Sequence, residues 1–178
     1  MKAVFPRLVP FLLFALVGSC IKEPDFSPVP SLRFNGVRQF RPLDSFQQTE
    51  KDSVVISLAF QDGDGNLGIT SDEFDGKTDD KRFQGRSNYE VRAFRRTNGA
   101  FVPVEFEQPL NTYFFPLRRD GKAGPIEGTL EFSQDYLPTN SAIRDTLRFD
   151  VRIMDRDFNY SNWVETDPFI VFPPRYRR

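Results

Sequence analysis

Hydrophobic residues in this chain recur at every second position, and a period of two dictates extended backbone rather than helix. In Ser53 to Phe60, Val54, Ile56, Leu58 and Phe60 share one face, and Val55, Ser57 and Ala59 share the other. Leu147, Phe149, Val151 and Ile153 repeat the pattern against Arg148, Asp150 and Arg152. These are half-buried strands. Asn88 to Arg96 and Phe101 to Glu107 flank Asn98-Gly99, a dipeptide that tolerates positive φ at both positions and so predicts a hairpin. Ile126 to Phe132 alternates in the same way, and Trp163 to Phe172 supplies a last strand interrupted at Pro168. Pro116 demotes Tyr113 to Arg118 to an edge or an irregular crossing. No segment presents a helical face. Six or seven short strands separated by turns predict an all-β fold, an antiparallel sandwich of immunoglobulin-like or fibronectin-like type.

The first 19 residues stand apart from this pattern. Lys2 and Arg7 form a positive leader, Leu8 to Val17 are apolar apart from Pro10, and Gly18 and Ser19 are small. That combination is an export signal, too short in its apolar part for the ~20 residues that cross a bilayer. The run Leu16-Val17-Gly18-Ser19-Cys20 resembles the lipobox of bacterial lipoproteins, which are cleaved before a cysteine that receives lipid. Acylation at Cys20 accounts for the lone thiol of an exported chain. Cleavage there leaves 159 of the 178 residues and takes the net charge from −1 to −3 with the loss of Lys2 and Arg7. Residues 20–31, with Pro24, Pro28 and Pro30, read as a tether. Residues 32–178 read as a single sandwich domain with a flexible charged insertion near 69–87.

Composition removes several chemistries. The chain has no histidine, which excludes a His general base and any His-ligated metal, and its single cysteine excludes an internal disulfide. An acidic net charge offers nothing to a phosphate backbone, so no nucleic-acid partner is expected. Twenty phenylalanines are many, three of them in the signal, and the remainder mostly occupy alternating strand positions as core.

Chemistry concentrates in two loops. In Asp62-Gly63-Asp64-Gly65-Asn66-Leu67-Gly68 the oxygen-bearing side chains alternate, and glycines let the backbone curl so that they converge on a hard cation such as Ca²⁺. From Asp62 to Asp80 seven acidic residues face Lys77 alone. Counted as an EF-hand loop, the stretch places Glu73 at the twelfth position but Leu67 where the sixth requires glycine, so an EF-hand is excluded. A tight Asp/Gly turn without metal uses the same residues. The second loop, Asp155 to Asn162, again follows a strong strand and again alternates Asp155, Asp157, Asn159. With three strands between them the two loops lie at one pole and could share one metal; a strand at Tyr113 to Arg118 would separate them. Arg156 could instead neutralise Asp155 or Asp157. Phe158, Tyr160 and Trp163 are candidates for stacking on a ligand, with core packing the alternative.

Together, the lipobox-like run, the Asp62 to Gly68 loop, and the strand Asp145 to Phe149 leading into Asp155 to Asn162 resemble small outer-membrane lipoproteins of Bacteroidota type. The similarity extends over most of the mature chain. It implies an immunoglobulin-like lipoprotein and an address, and offers no settled activity. Where such chains show a third aspartate this one has Asn66, which lowers the charge of the site. Ile21 after the lipidated cysteine implies the outer membrane. Lys22-Glu23 and Asp25 are similar to surface-export signals, or are solvated linker charges, which leaves the domain facing the periplasm or the cell surface.

Two functions fit these residues. One is a non-enzymatic, calcium-stabilised module, lipid-anchored in the cell envelope, that binds a glycan or an outer-membrane protein. The other is a glycan hydrolase, or an accessory to one, using a carboxylate pair from Asp62, Asp64, Asp155 and Asp157. Acids at alternating positions of glycine-rich loops suit coordination better than the apolar pocket a general acid needs.

Overall fold

The computed structural model describes residues 24–44, 49–118, 120, 122–137 and 144–172. The signal segment 1–19 and Cys20 lie outside the described residues. In chain order the elements are β1 (Ser31–Phe40), β2 (Leu43–Asp44), β3 (Thr49–Glu50), β4 (Asp52–Asp62), α1 (Ser71–Phe74), β5 (Tyr89–Thr97), β6 (Ala100–Val104), β7 (Ile126–Tyr136), β8 (Thr146–Ile153), β9 (Val164–Glu165) and β10 (Phe169–Ile170).

Two antiparallel sheets pack face to face. One has the order β1-β4-β7; the other runs β10-β8-β5-β6, with β9 also paired to β8. β10 pairs with Thr146 and Leu147 and β9 with Asp150 and Val151, so both lie along β8 as one strand interrupted at Pro168. The short β2 and β3 pair with each other.

The alternation in the sequence becomes the core. Leu147, Phe149, Val151 and Ile153 of β8 are fully buried, while Arg148, Asp150 and Arg152 on the opposite face are partly exposed. Val54, Ile56, Leu58 and Phe60 of β4 close against them, each such burial contributing roughly 1.5–3 kcal/mol. β4 is the central strand of its sheet, and Val55 on its outer face is buried as well. Phenylalanines fill part of the core, where Tyr89 stacks on Phe132 at 5.3 Å and Phe149 meets Phe169 edge-on at 5.2 Å, while Phe94 and Phe101 lie outside it under Arg148. Phe40 and Phe115 are the most open of those described, more than half exposed.

The hairpin forms at the predicted turn, with Asn98 (φ 51°) and Gly99 (φ 87°) both left-handed between β5 and β6. Tyr113 to Arg118 is not a strand. It crosses the pole irregularly, held by Ile69 N–H to Phe114 C=O (3.0 Å) and Leu117 N–H to Leu67 C=O (3.2 Å). The charged stretch after Gly68 is packed rather than free. Ile69 and Phe83 are buried, and a single helical turn, α1, is capped by Thr70 and Glu73.

Candidate functional site

β5, β6 and β7 lie between β4 and β8 in the chain, and the loops that leave β4 and β8 meet at one pole. Their backbones touch where Leu67 and Asp155 form an isolated antiparallel bridge. Leu67 is 1% exposed, so the residue that breaks the EF-hand pattern is the one that anchors the loop to the core.

Asn66 ties the loops together. Its Nδ2 donates to Asp64 Oδ2 (3.1 Å) and to Asp157 Oδ2 across the gap (3.0 Å). Its backbone N–H donates to Asp62 Oδ2 (3.1 Å) and Asp64 Oδ1 (3.3 Å). Asp155 serves its own loop instead. Oδ1 accepts the N–H groups of Asp157 and Asn159, both at 2.8 Å, and Oδ2 accepts Asn159 Nδ2 at 2.8 Å. The six aspartates and asparagines thus divide: Asp62, Asp64, Asn66 and Asp157 converge, while Asp155 and Asn159 shape the second loop behind them. Gly68 (φ +102°) allows the close crossing, since a Cβ there would meet Phe115 O at 2.4 Å.

Asp62 is the anomaly of this pole. Its side chain is wholly buried, Oδ2 receives Asn66 N–H, and Oδ1 has no hydrogen-bond partner. Asn66 Oδ1 is also shut away from solvent without a partner. Burial, then the neighbouring charge of Asp64, pushes the Asp62 carboxyl up to about 7, with Asp155 adding to the rise and the Asn66 N–H opposing it. Among the described residues no three carboxylates are drawn up around one point as a ready-made cage. A cation here would take Asp62 and Asp64 together with Asp157 and backbone carbonyls, and Asn66 once its amide turns Oδ1 toward the carboxylates that Nδ2 now faces, a mixed oxygen set that suits Ca²⁺ better than the strict octahedron of Mg²⁺.

Arg156 does not neutralise the aspartates beside it. Its guanidinium pairs with Glu73, Nη1 standing 3.1 Å from Oε2, and the same nitrogen donates to Gly68 C=O at 3.1 Å. That pairing holds Glu73 down to about 2. Asp157 shares only the field of the arginine.

Each of the three candidate stacking residues has a guanidinium group over its ring. Phe158 stacks on Phe83 at 5.2 Å, with Arg86 4.8 Å and Arg82 5.7 Å from its ring centre. Arg152 lies 3.8 Å from the centre of Tyr160 and 4.6 Å from that of Trp163, and Arg92 covers Trp163 at 3.9 Å. These cation–π contacts occupy ring faces that a sugar would need. Tyr160 is the most open of the three.

Some structuring residues carry no signal in sequence. Asn88, 1% exposed, accepts Phe114 N–H at 3.0 Å and fixes the crossing segment. Asn162 Oδ1 accepts Leu32 N–H (3.0 Å) while its Nδ2 donates to Leu32 C=O (2.9 Å), clasping the start of β1. Both depend on contacts between distant parts of the chain. Comparison with known protein families, curated proteins and solved structures finds no match to this chain.

Proposed function

We propose that the chain is a lipid-anchored outer-membrane lipoprotein whose sandwich is a non-enzymatic, calcium-stabilised interaction module. The lipobox-like run ending at Cys20 supports the anchor. The strand order, with β4 and β8 in the places of strands B and F, supports the immunoglobulin-like reading. Glycan or protein partners on the envelope fit an acidic domain without histidine, and nucleic acid does not.

One observation carries the calcium reading: the buried Asp62 carboxylate, one oxygen unpartnered, beside Asp64 and Asp155. A buried carboxylate among like charges costs several kcal/mol unless paired, and a divalent cation offsets that cost directly. With no histidine and the only cysteine at position 20, coordination in the domain is by oxygen. The test is calorimetric titration of the mature domain with CaCl₂. Saturable binding that disappears in the Asp62→Ala, Asp64→Ala double variant is expected; a wild-type domain that binds no calcium contradicts the proposal. For the anchor, Cys20→Ser is expected to release the protein from membranes.

A further inference from the structure

We infer that the acidic pole is also a clamp for the N-terminal tether, so that cation binding and tether docking are coupled. This rests on the calcium reading above and adds a partner to the site, the chain's own residues 24–30.

Gly63 stands between Asp62 and Asp64, the two aspartates that would meet the cation first. Its N–H donates to Ser27 C=O at 2.8 Å. A Cβ at this position would come within 2.3 Å of Phe26 O and 2.8 Å of the Ser27 carbonyl, so the tether lies flat on the loop and only glycine admits it. Ser27 Oγ then accepts Val29 N–H (3.0 Å), and Pro30 is buried. Two residues further on, the Asn162 side chain holds both backbone groups of Leu32. Each half of the pole therefore grips the N-terminal segment once: the first loop at Ser27, the second at Leu32.

The coupling follows from the placement of Gly63. Repulsion among Asp62, Asp64 and Asp155 favours relaxation of the backbone at 62–64, and any such movement carries the Gly63 N–H away from Ser27. A cation that holds the two aspartates fixes the same backbone in the docked geometry. Reciprocity then requires a docked tether to raise cation affinity by the factor by which the cation favours docking. Docking also sets the stand-off of the domain. Ser27 stands seven positions beyond Cys20 and Ser31 eleven. At about 3.3–3.6 Å per residue, release at Ser27 lengthens the maximum reach from roughly 24 to roughly 38 Å.

The experiment uses the full mature chain with Cys20→Ser and a nitroxide on Asp25→Cys. Calcium is expected to immobilise the label. Gly63→Ala is expected to keep it mobile in calcium and to weaken calcium binding about fivefold or more. Because Gly63→Ala also alters the loop, a second variant replaces residues 24–29 with a Gly-Ser stretch of equal length and leaves the loop untouched; the same loss of affinity is expected. Calcium binding of unchanged affinity in that variant, with a label indifferent to calcium in the parent, overturns the coupling and leaves the calcium site standing. Absence of calcium binding in the parent overturns both.

Discussion

Arg156 reaches past Asp155 and Asp157, its neighbours in sequence, to pair with Glu73 in the segment after Gly68. The pairing fastens the charged segment to the second loop, with Phe83 packed 5.3 Å beneath the guanidinium. It also leaves Asp62 and Asp64 with no guanidinium of their own from that loop. The second loop's own arginine is thus turned away from the acidic charge of the pole.

The sign of the pH dependence follows from Glu73. Its carboxyl titrates near 2 in the fold against an ordinary value of 4.5, so its contribution is complete above about 4.5 and is lost as pH falls through 2. Glu73→Gln keeps the N3 side chain of the capping box and removes only the charge. Because Arg156 is about a third exposed, the loss is on the order of 1 kcal/mol, or roughly 2–4 °C in Tm. Thermal melts are expected to show this difference from pH 7 to pH 5 and its disappearance towards pH 2.

Asn162→Ala removes both hydrogen bonds to Leu32 and leaves the entrance to β1 unsatisfied. A loss of about 1–3 kcal/mol in urea unfolding is expected. Hydrogen exchange at Leu32 is expected to accelerate without change in the β5–β6 hairpin.

Tyr89 is 3% exposed and its hydroxyl has no hydrogen-bond partner, while burial raises its phenol above the usual range. The ring contributes by stacking on Phe132 and the hydroxyl does not. Tyr89→Phe is therefore expected to leave stability unchanged or to raise it by up to about 1 kcal/mol. A fall of more than that in the unfolding free energy would show that the hydroxyl has a stabilising role.

Much of the fold was legible because β4, β8 and the hairpin keep strict parity in sequence. β1 was not, because a bulge between Phe34 and Gly36 shifts the register, so that Phe34 faces Leu58 and Val37 faces Ile56 three positions later. The packing of the segment after Gly68 was hidden for a different reason. Ile69 beside Gly68 and Thr70, and Phe83 beside Lys81 and Arg82, are too far apart to show a period. At the site, the alternation of Asp62, Asp64, Asn66 and of Asp155, Asp157, Asn159 marked the right loops but not the division of labour within them. Asp155 turns its oxygens onto its own loop, and Arg156 finds Glu73, through geometry set by the whole pole. The arginines that cover Tyr160 and Trp163 come from the outer faces of β5 and β8, which alternation alone places there without showing what they touch.

The buried Asp62 carboxyl is the centre of this account, and Asp62→Asn tests it most directly. The substitution keeps an acceptor for Asn66 N–H and removes the charge. Without calcium, Asp62→Asn is expected to melt at or above the wild-type temperature, since a buried repulsion has gone. With calcium a hundredfold above its Kd, wild type is expected to gain about 2.7 kcal/mol, roughly 5–10 °C in a domain of this size, and the variant little or nothing. A wild-type melting temperature that ignores calcium, with Asp62→Asn less stable in its absence, would contradict the account.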